Sequence, residues 1–75
     1  MPYVVSRGGT FGTIGRRYHG INDIPMILIE WGPLRWLTPV NADECKVLVS
    51  SYESEAKVEA DTWLREQGIT PKSDE

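Results

Sequence analysis

One cysteine and one histidine are present in 75 residues, and each scarcity excludes something. Cys45 alone can close no internal disulfide and build no thiolate cage for zinc. So little cysteine suits a reducing compartment, and the cytosol is the simplest expectation. With one His and one Cys, a metal would need carboxylates gathered from distant positions, so no metal is expected. His19 as a general base would need a nucleophile within hydrogen-bond reach. Ser6, Thr10 and Thr13 qualify only by abundance, and an exposed structural histidine is the plainer reading. Cys45 alternates with Val47 and Val49, which puts it on an apolar face as an inert thiol. Long apolar runs are missing too. The longest, Ile24–Ile29, is far too short to cross a bilayer. The opening "MPYVV" has no basic lead, so no secretory leader is expected.

Five of the seven glycines fall between Gly8 and Gly20, yet they lack the company a phosphate cradle needs. No lysine follows them as in a Walker loop. Gly9, Gly12 and Gly15 are spaced by three, which is not the dinucleotide fingerprint, and no helical pattern follows. No cofactor is expected. Arg7-Gly8-Gly9 is one copy of a motif that binds RNA in multiples. The glycines read instead as the corner of a small sheet, where strands bend, bulge or approach other backbone closely.

Aromatic residues are well supplied for so short a chain, with three Trp, three Tyr and one Phe. They give a small core large pieces to bury. The net charge of −3 hides an asymmetry. Residues 1–40 hold Arg7, Arg16, Arg17 and Arg35 against Asp23 and Glu30, a net +2. Residues 41–75 hold four cations against nine acids, a net −5. A chain that holds nucleic acid by charge alone is normally basic, so only a local basic face could do so here.

One domain is expected, with strands over residues 3–49, a helix over 50–68 and a frayed tail at 70–75. "YVVSR" stops at Gly8-Gly9, and "TFGTIGRRY" is rich in β-formers. "HGIND" carries turn chemistry. "IPMILIEW" is the strongest strand, with Ile27, Ile29 and Trp31 on one face and Met26, Leu28 and Glu30 on the other. Gly32-Pro33 is a sharp turn, "LRWLTPV" a strand, "NADE" a single helical turn and "CKVLVS" a last strand. Short strands with Gly and Pro punctuation suggest a small barrel or sandwich. The helix is placed from Tyr52 to Gln67. Ser50 is its expected cap, completed by Glu53. Tyr52, Ala56, Ala60, Trp63 and Leu64 form its apolar stripe. Gly68 should end it in the left-handed region, with Ile69 folding back on Leu64 and Pro71 blocking restart.

The run from Gly9 to Val49 resembles an SH3-like small barrel of the kind found in KOW-type modules. The features are the glycine-flanked "GTIG" strand, "ILIEW" ending in tryptophan, "RWLTP", a short turn and "CKVL". The resemblance implies a mainly β fold: an SH3-like small antiparallel barrel followed by a C-terminal amphipathic helix. It also implies a binding module over a catalyst, and no enzyme activity is expected. It carries over no binding residue.

Two surfaces are candidate partner sites. Arg16, Arg17, Tyr18, Arg35 and Trp36 combine guanidinium and aromatic groups, which suit phosphate, base or protein hot spots. Glu55, Glu59 and Glu66 lie within about 40° on the helical wheel. Glu55 and Glu59 repel at i,i+4, and such a stripe could meet a basic groove or imitate nucleic acid. The first expectation is a non-catalytic interaction module, an accessory subunit or inhibitor docking on a larger protein or nucleoprotein complex. The alternatives are a nucleic-acid-binding barrel using the arginine face, and an acidic nucleic-acid-mimicking inhibitor from a mobile element. Oligomeric state stays open.

Overall fold

The computed structural model describes residues 2–69; the expected frayed tail at 70–75 lies outside them. Five strands run in chain order: β1 (Tyr3–Ser6), β2 (Phe11–His19), β3 (Pro25–Trp31), β4 (Trp36–Asn41) and β5 (Cys45–Val47). One helix, α1 (Glu53–Glu66), follows them. The strands form one antiparallel open sheet in the order β4-β3-β2-β1-β5. Three hairpins build β1 to β4. The chain then returns, and β5 pairs with β1 through Val4–Val47 and Ser6–Cys45.

That return constrains the sheet's shape. β4 and β5 are its two edges, yet only the 3-10 turn Ala42–Glu44 separates them. Four interstrand spacings in a flat sheet amount to about 19 Å. Four Cα steps span at most about 15 Å, and less in a 3-10 turn. The sheet must therefore curl, and the two edges converge at this end. Asn41 holds the turn by accepting a bond from the Asp43 N–H at 2.8 Å.

The core lies on both faces of β1. Val4 joins Ile27 and Ile29 in one buried cluster, with Ile14, Val40, Ala42 and Cys45 packed around it. Val5 points the other way and joins Leu48, Ala56, Ala60 and Leu64, flanked by Tyr3, Phe11, Trp63 and Ile69. The alternation along a strand makes this division, so the Val4-Val5 pair serves two cores. Ala56 and Ala60 are small enough to bring α1 close to β1. Full burial of Val5 and Leu64 contributes roughly 1.5–3 kcal/mol each.

The helix end follows the expectation. Gly68 has φ +77°, Ile69 N–H donates to Leu64 at 2.9 Å and Gly68 N–H to Arg65 at 3.0 Å. This is a Schellman pattern, with Ile69 against the helix cluster. The helix start differs. Tyr52, not Ser50, takes the N-cap position, and no side chain caps it. The Ser50 hydroxyl instead accepts from Tyr52 N–H at 3.2 Å. Tyr52 stands before the first helical residue, where helical spacing no longer applies, and it leaves the stripe for solvent. Trp63 stays half-buried on the cluster. β5 also ends earlier than expected. Leu48 is buried with the helix and Val49 faces solvent, so the apolar alternation expected from Cys45 to Val49 breaks.

The glycine corner is where β2 meets β3. The register shifts between Ile14 and Arg16, a bulge at Gly15 that bends the strand. Gly12 is buried. A Cβ there would fall far inside contact distance of the Glu30 carbonyl oxygen and 2.9 Å from Trp31 Cβ. Backbone, unlike a flexible side-chain end, cannot move aside. Gly12→Ala is expected to destabilise the chain by about 3 kcal/mol. Gly8→Ala, whose nearest neighbour is Ser6 Oγ at 3.7 Å, should change stability by less than about 1 kcal/mol. Urea unfolding followed by circular dichroism checks both.

Candidate functional site

The β3–β4 hairpin concentrates exposed apolar surface. A tight turn over residues 32–35 joins the strands, with Gly32 at φ +81° and Arg35 at +57°. Arg35 N–H donates to the Gly32 carbonyl at 3.1 Å. Across it Trp31 and Trp36 are register partners. Leu34 is 75% exposed, Trp36 and Leu37 are 57% exposed, and Trp31 is 40% exposed. Large apolar side chains left this wet over seven residues need a reason beyond folding. Trp31 is held in place, since its indole N–H donates to Thr38 Oγ1 at 2.7 Å. Its donor is thereby spent, and what it offers outward is ring surface. Arg35 reaches back to Glu30, Nε to Oε2 at 3.5 Å.

Beside this hairpin runs a groove of about 660 Å³. Val5, Phe11, Ala60 and Leu64 supply its apolar surface, Trp31, Gly32 and Pro33 one wall, and Glu53, Lys57 and Asp61 of α1 the other. Phe11 stacks on Tyr3 with centroids 5.5 Å apart. The Lys57 ammonium lies 5.9 Å from the Phe11 ring centre, within reach of a cation–π attraction.

The arginine–aromatic set expected from sequence is distributed, not gathered. Opposed residues in a sheet share a face. Arg16 opposes Leu28 and Tyr18 opposes Met26, while Arg17 opposes Ile27 on the other face. The bulge makes this so: without it Arg16 would follow Ile14 onto the core face. Arg35 and Trp36 sit at the hairpin, and Trp36 is three positions along and two strands across from Arg16, roughly 14 Å away. They stand with Trp31 and Leu34, which sequence reasoning did not single out, while Leu37 opposes Glu30 and so shares the other face with Arg16. A signal for them existed, because the tight turn expected at Gly32-Pro33 brings Trp31 and Trp36 face to face.

The acidic set is also divided. Glu59 accepts from Val49 N–H with both oxygens at 3.1 Å and from Ser50 N–H at 3.3 Å. Glu55 accepts from the Ser50 hydroxyl at 3.0 Å. These bonds tie the β5–α1 connector to the helix, and they offset the repulsion between the two carboxylates. Glu66 stays exposed beside Lys46 and Trp63, lining a smaller cleft.

Cys45 donates to the Asn41 carbonyl at 3.3 Å. Burial, and then the charge of Glu44, push its thiol pKa up. His19 ends β2, exposed and opposite Pro25. Among the described residues no three His, Cys, Asp or Glu side chains stand together as a metal would require, and no helix is long and apolar enough to cross a membrane.

Comparison with protein-family models, curated proteins and solved structures finds no match to this chain. What the surface can do follows from its own chemistry.

Two measurements test these assignments. Glu59→Ala is expected to cost about 1 kcal/mol of unfolding free energy, the size of a lost hydrogen-bond anchor. Glu66→Ala should stay within about 0.5 kcal/mol. For Cys45, a raised thiol pKa means less thiolate at any given pH near neutrality. Iodoacetamide should therefore react more slowly with the folded chain at pH about 8 than with the urea-unfolded chain, and the rate–pH curve should lie to the alkaline side.

Proposed function

We propose that this chain is a non-catalytic protein-interaction module that docks through its β3–β4 hairpin on a larger complex, as accessory subunit or inhibitor. The carrying observation is the exposed Trp31, Leu34 and Trp36 around a rigid turn, with Arg35 among them. Tryptophan and arginine are the residues that most often dominate protein interfaces, and they do so where a pocket or partner can desolvate them. The hairpin meets that description, and its β-turn is fixed by backbone hydrogen bonding, so little ordering entropy opposes docking. The fold belongs to the same reading: an SH3-like barrel, supported by the strand order and by the short link that draws β4 toward β5. A cytosolic setting fits the single reduced cysteine.

Direct nucleic-acid binding is the second reading. Arg16 and Tyr18 on one sheet face favour it, although Arg17 points to the other. Acidic mimicry has less support, because Glu55 and Glu59 already serve the connector.

The test places a photo-crosslinking residue at Val58, on the exposed side of α1, and compares capture by the otherwise native chain with capture by Leu34→Ser/Trp36→Ala. The native hairpin should hold one specific protein at near-physiological salt. The double variant should lose at least about thirtyfold in affinity, the scale of a hot spot, with an unchanged circular dichroism spectrum. Equal binding by the double variant overturns the reading. So does a ligand that proves to be nucleic acid, recognised by steep weakening as salt rises.

A further inference from the structure

We infer that the groove between α1 and the β3–β4 hairpin receives an arginine side chain from an extended segment of the partner protein. The inference deepens the interaction-module reading and rests on it. About 660 Å³ is a ligand-sized volume, large enough for one long side chain with its flanking backbone. An occupant must satisfy two unlike surfaces. Phe11, Leu64 and Trp31 present apolar and aromatic area, while Glu53 and Asp61 present carboxylates from the helix. A purely apolar side chain would cover the first and strand the second. An acidic one would be repelled by both carboxylates. Arginine fits both, because its methylene stem lies on apolar surface and its planar guanidinium stacks on aromatic rings and forks to carboxylates.

Three further observations bear on this choice. Trp31 has spent its N–H on Thr38, so its accessible part is π surface, which attracts cations. The Glu53 and Asp61 carboxylates are both exposed on the helix wall of the groove. The chain also already lays a cation here, with the Lys57 ammonium 5.9 Å from the Phe11 ring centre. The groove thus accommodates one positive charge over an aromatic ring between two carboxylates spaced one helical turn to either side. The carboxylates outnumber Lys57, which leaves a net negative wall facing Trp31.

Two-dimensional amide and indole NMR of the intact chain tests this, with two blocked peptides as probes. One is acetyl-Gly-Leu-Arg-Leu-Gly-amide; the other carries citrulline, which keeps the shape and removes the charge. The arginine peptide should move the Trp31 indole signal and the Phe11 and Ala60 amides, with an affinity near about 1 mM. The citrulline peptide should bind at least about tenfold more weakly. Asp61→Asn should weaken the arginine peptide by a similar factor, with its own spectrum otherwise preserved, and Glu66→Gln should leave binding unchanged. Equal binding of the two peptides overturns the inference. So does the absence of groove shifts up to about 10 mM peptide, or shifts confined to Glu55, Glu59 and Glu66. If the hairpin variant still loses its protein partner while the arginine peptide fails, the docking reading stands and only this groove assignment falls.

Discussion

Everything in this chain is organised by the burial of β1 from both sides. Val4 and Ile29 are wholly shielded and Val5 nearly so, although Val4 and Val5 point in opposite directions. A sheet of five short strands has one face to spare, and a chain of this size has little apolar surface to cover it. α1 covers it with two alanines and a leucine, while the curled sheet covers the other face with its own isoleucines. Without the helix, Val5 and Leu48 would face water. Without the curl, Val4 and Ile27 would. The Val4-Val5 dipeptide therefore couples the helix to the sheet, and a disturbance of either core is felt by the other.

The surface divides along the same line. Where α1 and the sheet meet tightly, around Ala56, nothing is left to bind. Where they diverge, toward Trp31 and Pro33, the groove opens. The hairpin beyond it is stiff for local reasons, a hydrogen-bonded turn and an indole tied to Thr38, and it is apolar where a folded monomer gains nothing from being so. Rigidity and exposed aromatic area together are what an interface requires, since they combine a large gain on desolvation with a small loss of conformational freedom. The carboxylates on the opposite side of the helix serve the chain itself. Glu59 fastens the connector that lets β5 hand over to α1, so charge there reflects folding more than recognition.

Most of the architecture was legible in the residues. Pro, Gly and Asn-Asp punctuation marked the strand boundaries to within a few positions except at the end of β5, because these residues have backbone preferences that hold in any context. The C-terminal cap was legible for the same reason: Gly68 tolerates a left-handed φ, and Ile69 and Leu64 stand at the spacing the motif needs. The helix start was not, because Ser50 had two uses for its hydroxyl and the connector's path selected the other. The candidate surface was legible in type but not in place. Tryptophan and arginine stood out in the sequence, yet Arg16 and Arg17 looked like one patch.

The sequence by itself determined the elements, their order, the alternation within β3 and the corner built from glycines, all of which depend on neighbours a few residues apart. Only the tertiary structure decided which side chains stand together. The bulge at Gly15 decides which of Arg16 and Arg17 shares the face of Ile27 and Ile29, and the packing of α1 brings Glu53 and Asp61 to the groove beside Phe11. Those adjacencies are set by register and packing between segments far apart in the chain, and no local pattern encodes them.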